Sequence, residues 1–286
     1  MLTKEQIHFF NDNGYLLMRN FISSGTRKIL LQAVEQIKNR VNSHPHKYST
    51  RYTFFSNSEW DTWGVNEIFG PELYEDSFGD FLGDPTLLSI IKELLDCEEL
   101  RFWVASLLWA PEKVNYDLYW HRDDPDSAVY TPSGKANHVQ FNVALTKDTS
   151  FWVIPGSHKR PLNELEQLVE RSKEIVSLPD QINVECNPGD IIFMNAWTLH
   201  RGSCSSTDVR RTLHMNVQPK NETYGGHTSQ SWMKDSNHLN RMNSNVKQLI
   251  LNLVEWDNLH PLSEEEISQE KVFFDRIKKH QANKDL

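Results

Sequence analysis

The chain has little cysteine. Its three cysteines, Cys97, Cys186 and Cys204, are odd in number, widely spaced and without a C-x-x-C pair, so neither a disulfide framework nor a cysteine zinc site is expected, and a reducing cytoplasm is the expected location. Long apolar runs are also missing: no segment approaches the length of a membrane span. The opening Met1-Leu2-Thr3-Lys4-Glu5-Gln6 lacks a basic stretch followed by an apolar one, so neither secretion nor membrane insertion is expected. Positive charge is not in excess. A net charge of −9 gives no general attraction to phosphate backbones, which removes nucleic acid from the expected partners. Internal repeats and low-complexity tracts are absent as well, which excludes a solenoid.

What is present is a folded, soluble composition, with 38% hydrophobic and 24% charged residues and nine Trp and fourteen Phe to fill a core or a pocket. A length of 286 residues is compatible with one all-β core carrying helices. Residues 1–286 are read as one domain: N-terminal helices over 1–99, a core over about 100–218, and a C-terminal loop and helices over 219–286.

Thr3 and Gln6 form a capping box for a short helix stopped by Gly14, and a strand should follow over 15–19. Ser23 or Ser24 caps a longer helix to about Asn42, whose Ile29, Leu30, Ala33, Val34 and Ile37 recur at helical spacing. Periodicity is lost over 43–70, where Tyr52, Phe54, Phe55, Trp60 and Trp63 read as buried packing or a pocket wall. Asp84-Pro85 starts a helix to about Leu95. From Leu100 to Val217 short β-rich runs (100–109, 118–121, 138–145, 151–154, 182–186, 190–194, 211–217) are broken by turn residues such as Asn187-Pro188-Gly189-Asp190. One helical insert lies over about 162–174. Many short strands without regular strand-helix alternation predict a mainly β fold with flanking helices, a jelly-roll sandwich or barrel. Residues 221–245 read as a long loop, and a last helix is expected from Ser263 to about His280.

The chemistry concentrates in Y-W-H-R-D-D, residues 119–124. In an extended segment residues two apart share a face, so His121 and Asp123 converge; a third ligand is best supplied by His200. Two histidines and a carboxylate leave one face of an octahedral metal open, the arrangement of non-haem Fe(II) oxygenases. With 12 histidines in the chain, an H-x-D triplet arises by chance roughly once, so the triplet needs company. A 2-oxoglutarate cosubstrate would need a cation for its far carboxylate. Arg211, eleven residues after His200, is the expected anchor, with Arg210 facing away.

Four motifs in order supply that company. T-K-E-Q-I-H-F-F-N-D-N-G-Y, W-H-R-D-D, V-I-P-G-S-H-K at 153–159, and N-P-G-D-I-I-F through L-H-R-G to Arg211 together resemble the phytanoyl-CoA dioxygenase family of Fe(II)/2-oxoglutarate oxygenases. The resemblance spans residues 3–218. It implies a double-stranded β-helix core, Fe(II) bound by His121, Asp123 and His200, 2-oxoglutarate held by Arg211, and hydroxylation of a small-molecule metabolite with release of succinate and CO2. Gly202 stands where many relatives have a serine and Asn142 where many have an aromatic, so Gln140 and Asn142 are the candidates for the remaining cosubstrate contacts. Trp120, Trp197 and Trp109 are candidate substrate contacts, and segments 43–70 and 221–245 candidate determinants of specificity. His158 reads as a turn residue, His214 as core or pocket lining, and Arg122 as a surface residue. The competing readings are a cupin-like metal enzyme that uses no 2-oxoglutarate and a non-catalytic binding member of the fold. A monomer or homodimer is expected.

Overall fold

The computed structural model describes residues 1–56, 59–123, 129–223 and 229–265. Helix α1 (Lys4–Asn13) carries the expected capping box and ends on Gly14 in the left-handed conformation, φ 80°. Strand β1 (Tyr15–Met18) follows, then α2 (Ser24–Ser43), capped by the Ser23 hydroxyl. The segment read as irregular is a hairpin, β2 (Thr50–Phe54) and β3 (Trp60–Asn66), in which Tyr52 stacks on Trp60 at 3.7 Å between ring centroids. Cross-strand aromatic pairing replaced the polar/apolar alternation that marks a half-buried strand in sequence. Next come α3 (Asp76–Leu82) and α4 (Pro85–Leu95), the latter begun by Asp84 accepting from the backbone of Thr86 and Leu87.

The core strands are β4 (Leu100–Trp109), β5 (Tyr116–Asp117), β6 (Val139–Ala144), β7 (Phe151–Val153), β8 (Ile182–Asn183), β9 (Ile191–Asn195), β10 (His200–Cys204) and β11 (Arg211–Pro219); α5 (Glu164–Ser172) is the helical insert. The short helix α6 (Ser236–Leu239) and the long α7 (Ser244–Leu259) close the described chain. Thus 221–245 is only partly loop, and a sixteen-residue helix begins where the sequence offered polar Asn-Ser pairs. The expected helix from Ser263 to His280 lies mostly outside the described residues.

A seven-stranded antiparallel sheet, in the order β1-β9-β6-β11-β4-β3-β2, faces a four-stranded sheet, β5-β10-β7-β8. This is the expected mainly β jelly roll with flanking helices. Strand alternation sorts the large sheet into two faces. Val139, Phe141 and Val143 of β6, Ile191 and Phe193 of β9, and Leu213, Met215 and Val217 of β11 join the core beneath α2, α4 and α7. Their neighbours point between the sheets. There Ala144, Ile192 and Met194 pack on Phe151 and Val153, while Trp63, Leu108, Tyr116 and Cys204 form a second apolar cluster. Gln140, Asn142 and His214 line the cavity between the sheets.

Candidate metal centre

His121 and His200 face each other across an antiparallel bridge, each donating its backbone N–H to the other's carbonyl (3.0 and 2.9 Å). His200 begins β10 rather than ending the preceding strand: β9 stops at Asn195, and a turn through residues 196–199 intervenes. Asp123 Oδ1 lies 3.5 Å from His121 Nε2 and Asp123 Oδ2 3.7 Å from His200 Nε2. One ligand atom from each of the three falls within 4.8 Å of the others.

Both imidazoles are fixed in one tautomer. His121 Nδ1–H donates to the carbonyl of Tyr119 (2.9 Å) and His200 Nδ1–H to that of Thr198 (3.0 Å), which leaves both Nε2 atoms turned to the carboxylate. Burial works against an ionised Asp123, but its interactions with His200 and His121 outweigh it and hold the carboxyl well below its usual range. Burial pushes His200 down to about 4 against the pull of Asp123, so it is neutral at physiological pH. Asp123 Oδ2 is buried with no hydrogen-bond partner. A carboxylate with one unsatisfied buried oxygen, set beside two imidazole Nε2 atoms, is a donor set that a divalent metal completes.

The cavity around this triad measures about 110 Å³. Gln140 and Asn142 line it together with Arg51, Tyr116, Ser150, Arg210 and His214. His214 Nδ1–H donates to Asn142 Oδ1 (2.8 Å), and burial, reinforced by Arg51, pushes its pKa down to about 3. Gly202 also lines the cavity, and a Cβ there would meet nothing closer than 3.6 Å, so the position has room for a side chain it does not carry. The buried Ser150 hydroxyl beside it has no hydrogen-bond partner.

Arg211 does not reach the cavity. It shares a face with Leu213, Met215 and Val217, the helix-covered one, and its guanidinium pairs with Glu35 of α2, with Nε 2.5 Å from Oε1. Arg210 takes the inward position: its Nε donates to Asp148 Oδ2 (2.9 Å) and its Nη1 to the Tyr116 hydroxyl. The expectation was therefore out of register by one residue. The three tryptophans fall elsewhere too. Trp109 is buried in β4 with its indole N–H on the Thr62 carbonyl, and Trp120 packs with Ile154, Leu162 and Leu199, donating to the Val176 carbonyl. Trp197 sits on the turn before His200, where its backbone N–H donates to Asn195 Oδ1. None is among the residues lining the cavity.

Three residues outside the triad, Arg122, Ser157 and His158, build its frame. Arg122, expected on the surface, is buried, and its guanidinium donates to the carbonyls of Val129, Ser157 and Arg160, tying the H-x-D segment to the P-G-S-H turn. Ser157 of that turn accepts from the Leu199 backbone (2.8 Å), next to His200, and His158 Nε2–H donates to the Asn11 carbonyl of α1 (2.9 Å). The three carbonyls that accept from Arg122 carry no side-chain signal that a sequence pattern could mark.

Compared with known proteins, residues 10–213 match the family model described as phytanoyl-CoA dioxygenase. A structure of HygX from Streptomyces hygroscopicus with nickel and 2-oxoglutarate bound is similar at 18% identity and TM-score 0.59, covering 82% of this chain and 94% of that one. EctD from S. alaskensis with 2-oxoglutarate and 5-hydroxyectoine is likewise 18% identical with TM-score 0.59, covering 81% and 82%. SnoK, a non-haem α-ketoglutarate-dependent carbocyclase from nogalamycin biosynthesis, also gives 18% identity and TM-score 0.59, covering 85% and 91%. No curated protein sequence matches.

Proposed function

We propose that this chain, which belongs to the phytanoyl-CoA dioxygenase family, is an Fe(II)- and 2-oxoglutarate-dependent oxygenase that hydroxylates a small molecule. The observation that carries the reading is the triad: His121, Asp123 and His200 converge within 4.8 Å, both imidazoles are locked for Nε2 ligation, and the carboxylate is left unsatisfied. When bound, iron supplies the redox chemistry by which O2 oxidises 2-oxoglutarate to succinate and CO2 and the substrate to its hydroxylated product. With Asp123 as third ligand the protein fills the position a halide would take, which favours hydroxylation over halogenation.

The chain's own groups then divide the remaining tasks. Arg210, buried immediately before β11, anchors the distal carboxylate of 2-oxoglutarate, with Nη2 still available beside the contacts to Asp148 and Tyr116. The Asn142 amide, its oxygen already taken by His214, offers its N–H groups to the cavity, and Gln140 and the Ser150 hydroxyl stand near it. The apolar clusters above and below exclude water from the reacting centre. The pairing of Arg210 with Asp148 gives one specific reason to keep a reading without 2-oxoglutarate, since it already neutralises the guanidinium. One experiment separates the two. Anaerobic addition of Fe(II) and then 2-oxoglutarate is expected to give the weak visible charge-transfer band of a chelate, and the Asp123→Ala variant to lose it. A wild-type protein that takes up iron yet shows no band at saturating 2-oxoglutarate would overturn the leading reading in favour of the second.

A further inference from the structure

A second cavity, of about 810 Å³, opens outside the metal pocket and shares Arg51, Trp63, Tyr116 and Leu118 with it. Its walls are largely the β2–β3 hairpin, including Tyr52, Phe54 and Trp63. Arg51 stands at the junction. Its Nε donates to Asn66 Oδ1 (2.8 Å), and Asn66 is itself held by Ser106 and Ser49. The guanidinium carbon lies 5.8 Å from the Trp63 ring centroid.

Among the described residues, no carboxylate lies within ion-pair distance of this guanidinium. The one acid lining the outer cavity, Asp117, is turned to Arg201 (3.3 Å). Burial lowers the pKa of Arg51 against the opposing pull of Tyr116 and Asp123, yet an arginine stays charged at physiological pH. The terminal nitrogens of Arg51, without a hydrogen bond among the described residues, are open to the cavities it lines and available to an anion. Arg210 differs in both respects, being matched by Asp148 and lining the inner pocket alone.

We propose that Arg51 is a specificity-determining residue that receives an anionic group, a carboxylate or phosphate, of a substrate whose apolar or aromatic body lies along the β2–β3 hairpin. The assignment rests on the oxygenase reading, because it reserves Arg210 for the cosubstrate. The guanidinium fork binds such an anion in two parallel hydrogen bonds, Asn66 fixes its orientation, and Trp63, stacked with Tyr116 at 4.3 Å, provides a flat apolar wall beside it. Held at the mouth by its charge, the substrate would present a neighbouring carbon to the metal pocket.

The test uses protein loaded with nickel(II) in place of iron and saturated with 2-oxoglutarate, so that no turnover consumes the probe. Calorimetry then compares 3-phenylpropionate and phenyl phosphate with the neutral 3-phenylpropanamide. In the wild type at least one anion should bind roughly ten- to hundredfold tighter than the amide. Arg51→Met should abolish that preference with 2-oxoglutarate affinity unchanged, and Arg51→Lys, which keeps the charge, should retain part of it. The proposal is overturned if acid and amide bind alike or not at all in the wild type, if the preference survives in Arg51→Met, or if that variant weakens 2-oxoglutarate itself. Uptake of 2-oxoglutarate by the loaded wild type is read first and separately, so a failure of the oxygenase reading shows as missing uptake rather than as a missing preference.

Discussion

Arg210 and Arg211 are adjacent, yet one is matched by Asp148 between the sheets and the other by the half-exposed Glu35 on the outer face. An exposed pair of the second kind contributes about 0–1 kcal/mol, so Arg211→Ala is expected to change melting and cosubstrate requirement little. If Arg210 anchors 2-oxoglutarate as proposed, Arg210→Met should raise the concentration needed for half-maximal succinate release about ten- to hundredfold, with folding checked by a melt. A larger effect from Arg211 would show that Arg211, not Arg210, meets the cosubstrate. The partner acid carries a pH prediction. Burial opposes ionisation of Asp148, but Arg210, Thr212 and the Ser150 backbone outweigh it and lower its pKa. A carboxyl lowered on folding adds stability above its unfolded value and loses it as pH falls through the folded one, so the loss lies below about pH 4. Asp148→Asn should therefore be less stable at neutral pH by about 3–5 kcal/mol, and the gap should narrow on acidification. A gap that stays constant between neutral and acid pH would remove Asp148 as the titrating partner.

Helix α1 is far from the His121, Asp123 and His200 cluster in sequence but close to it in the chain of contacts. Its cap, Gly14, accepts through its carbonyl from the Thr198 hydroxyl (3.1 Å) and the Asn195 backbone (2.9 Å), and the Thr198 carbonyl holds the His200 ring. Gly14 is required on two counts. Its φ of 80° disfavours any side chain, and a Cβ would collide with the Thr198 hydroxyl and come 2.7 Å from His158 Nδ1. Gly14→Ala should cost about 2–4 kcal/mol in stability and also weaken metal binding, because relief of the clash moves Thr198 and with it His200. A metal titration on the folded fraction checks the second part: unchanged affinity in a destabilised variant would confine Gly14 to folding. Such coupling was only half legible in the sequence. The capping box and the glycine stop were readable because helix ends follow local rules; the partner of that stop, 184 residues away, was not.

At the scale of the whole molecule, what could be read beforehand was whatever depends on short-range pattern. The span of β4, the start of α4 and the H-x-D pair follow from alternation, capping and spacing, and all three stand where they were expected. The β2–β3 hairpin and α7 escaped because their stability comes from contacts that strand or helix periodicity does not show: the cross-strand stack of Tyr52 on Trp60, and Val246, Ile250 and Leu253 in the core beneath the large sheet. The Arg211 error was avoidable, since Leu213, Met215 and Val217 already mark the helix-covered face and place residue 211 on it. The triad itself joins parts of the fold that local rules do not connect: His121 and Asp123 follow β5, while His200 begins β10. A metal bound there ties these segments together in the folded state only, because the ligands are dispersed on unfolding, so metal should stabilise the whole domain by mass action. At a free concentration one hundred times the dissociation constant the gain is about 2.7 kcal/mol, which for a chain of this size corresponds to a rise of several degrees in melting temperature. Nickel(II) titrated into metal-free protein should produce that rise in the wild type, and in Asp123→Ala little or none at the same concentrations. Equal shifts in both proteins would mean that the stabilising site is not the one formed by His121, Asp123 and His200.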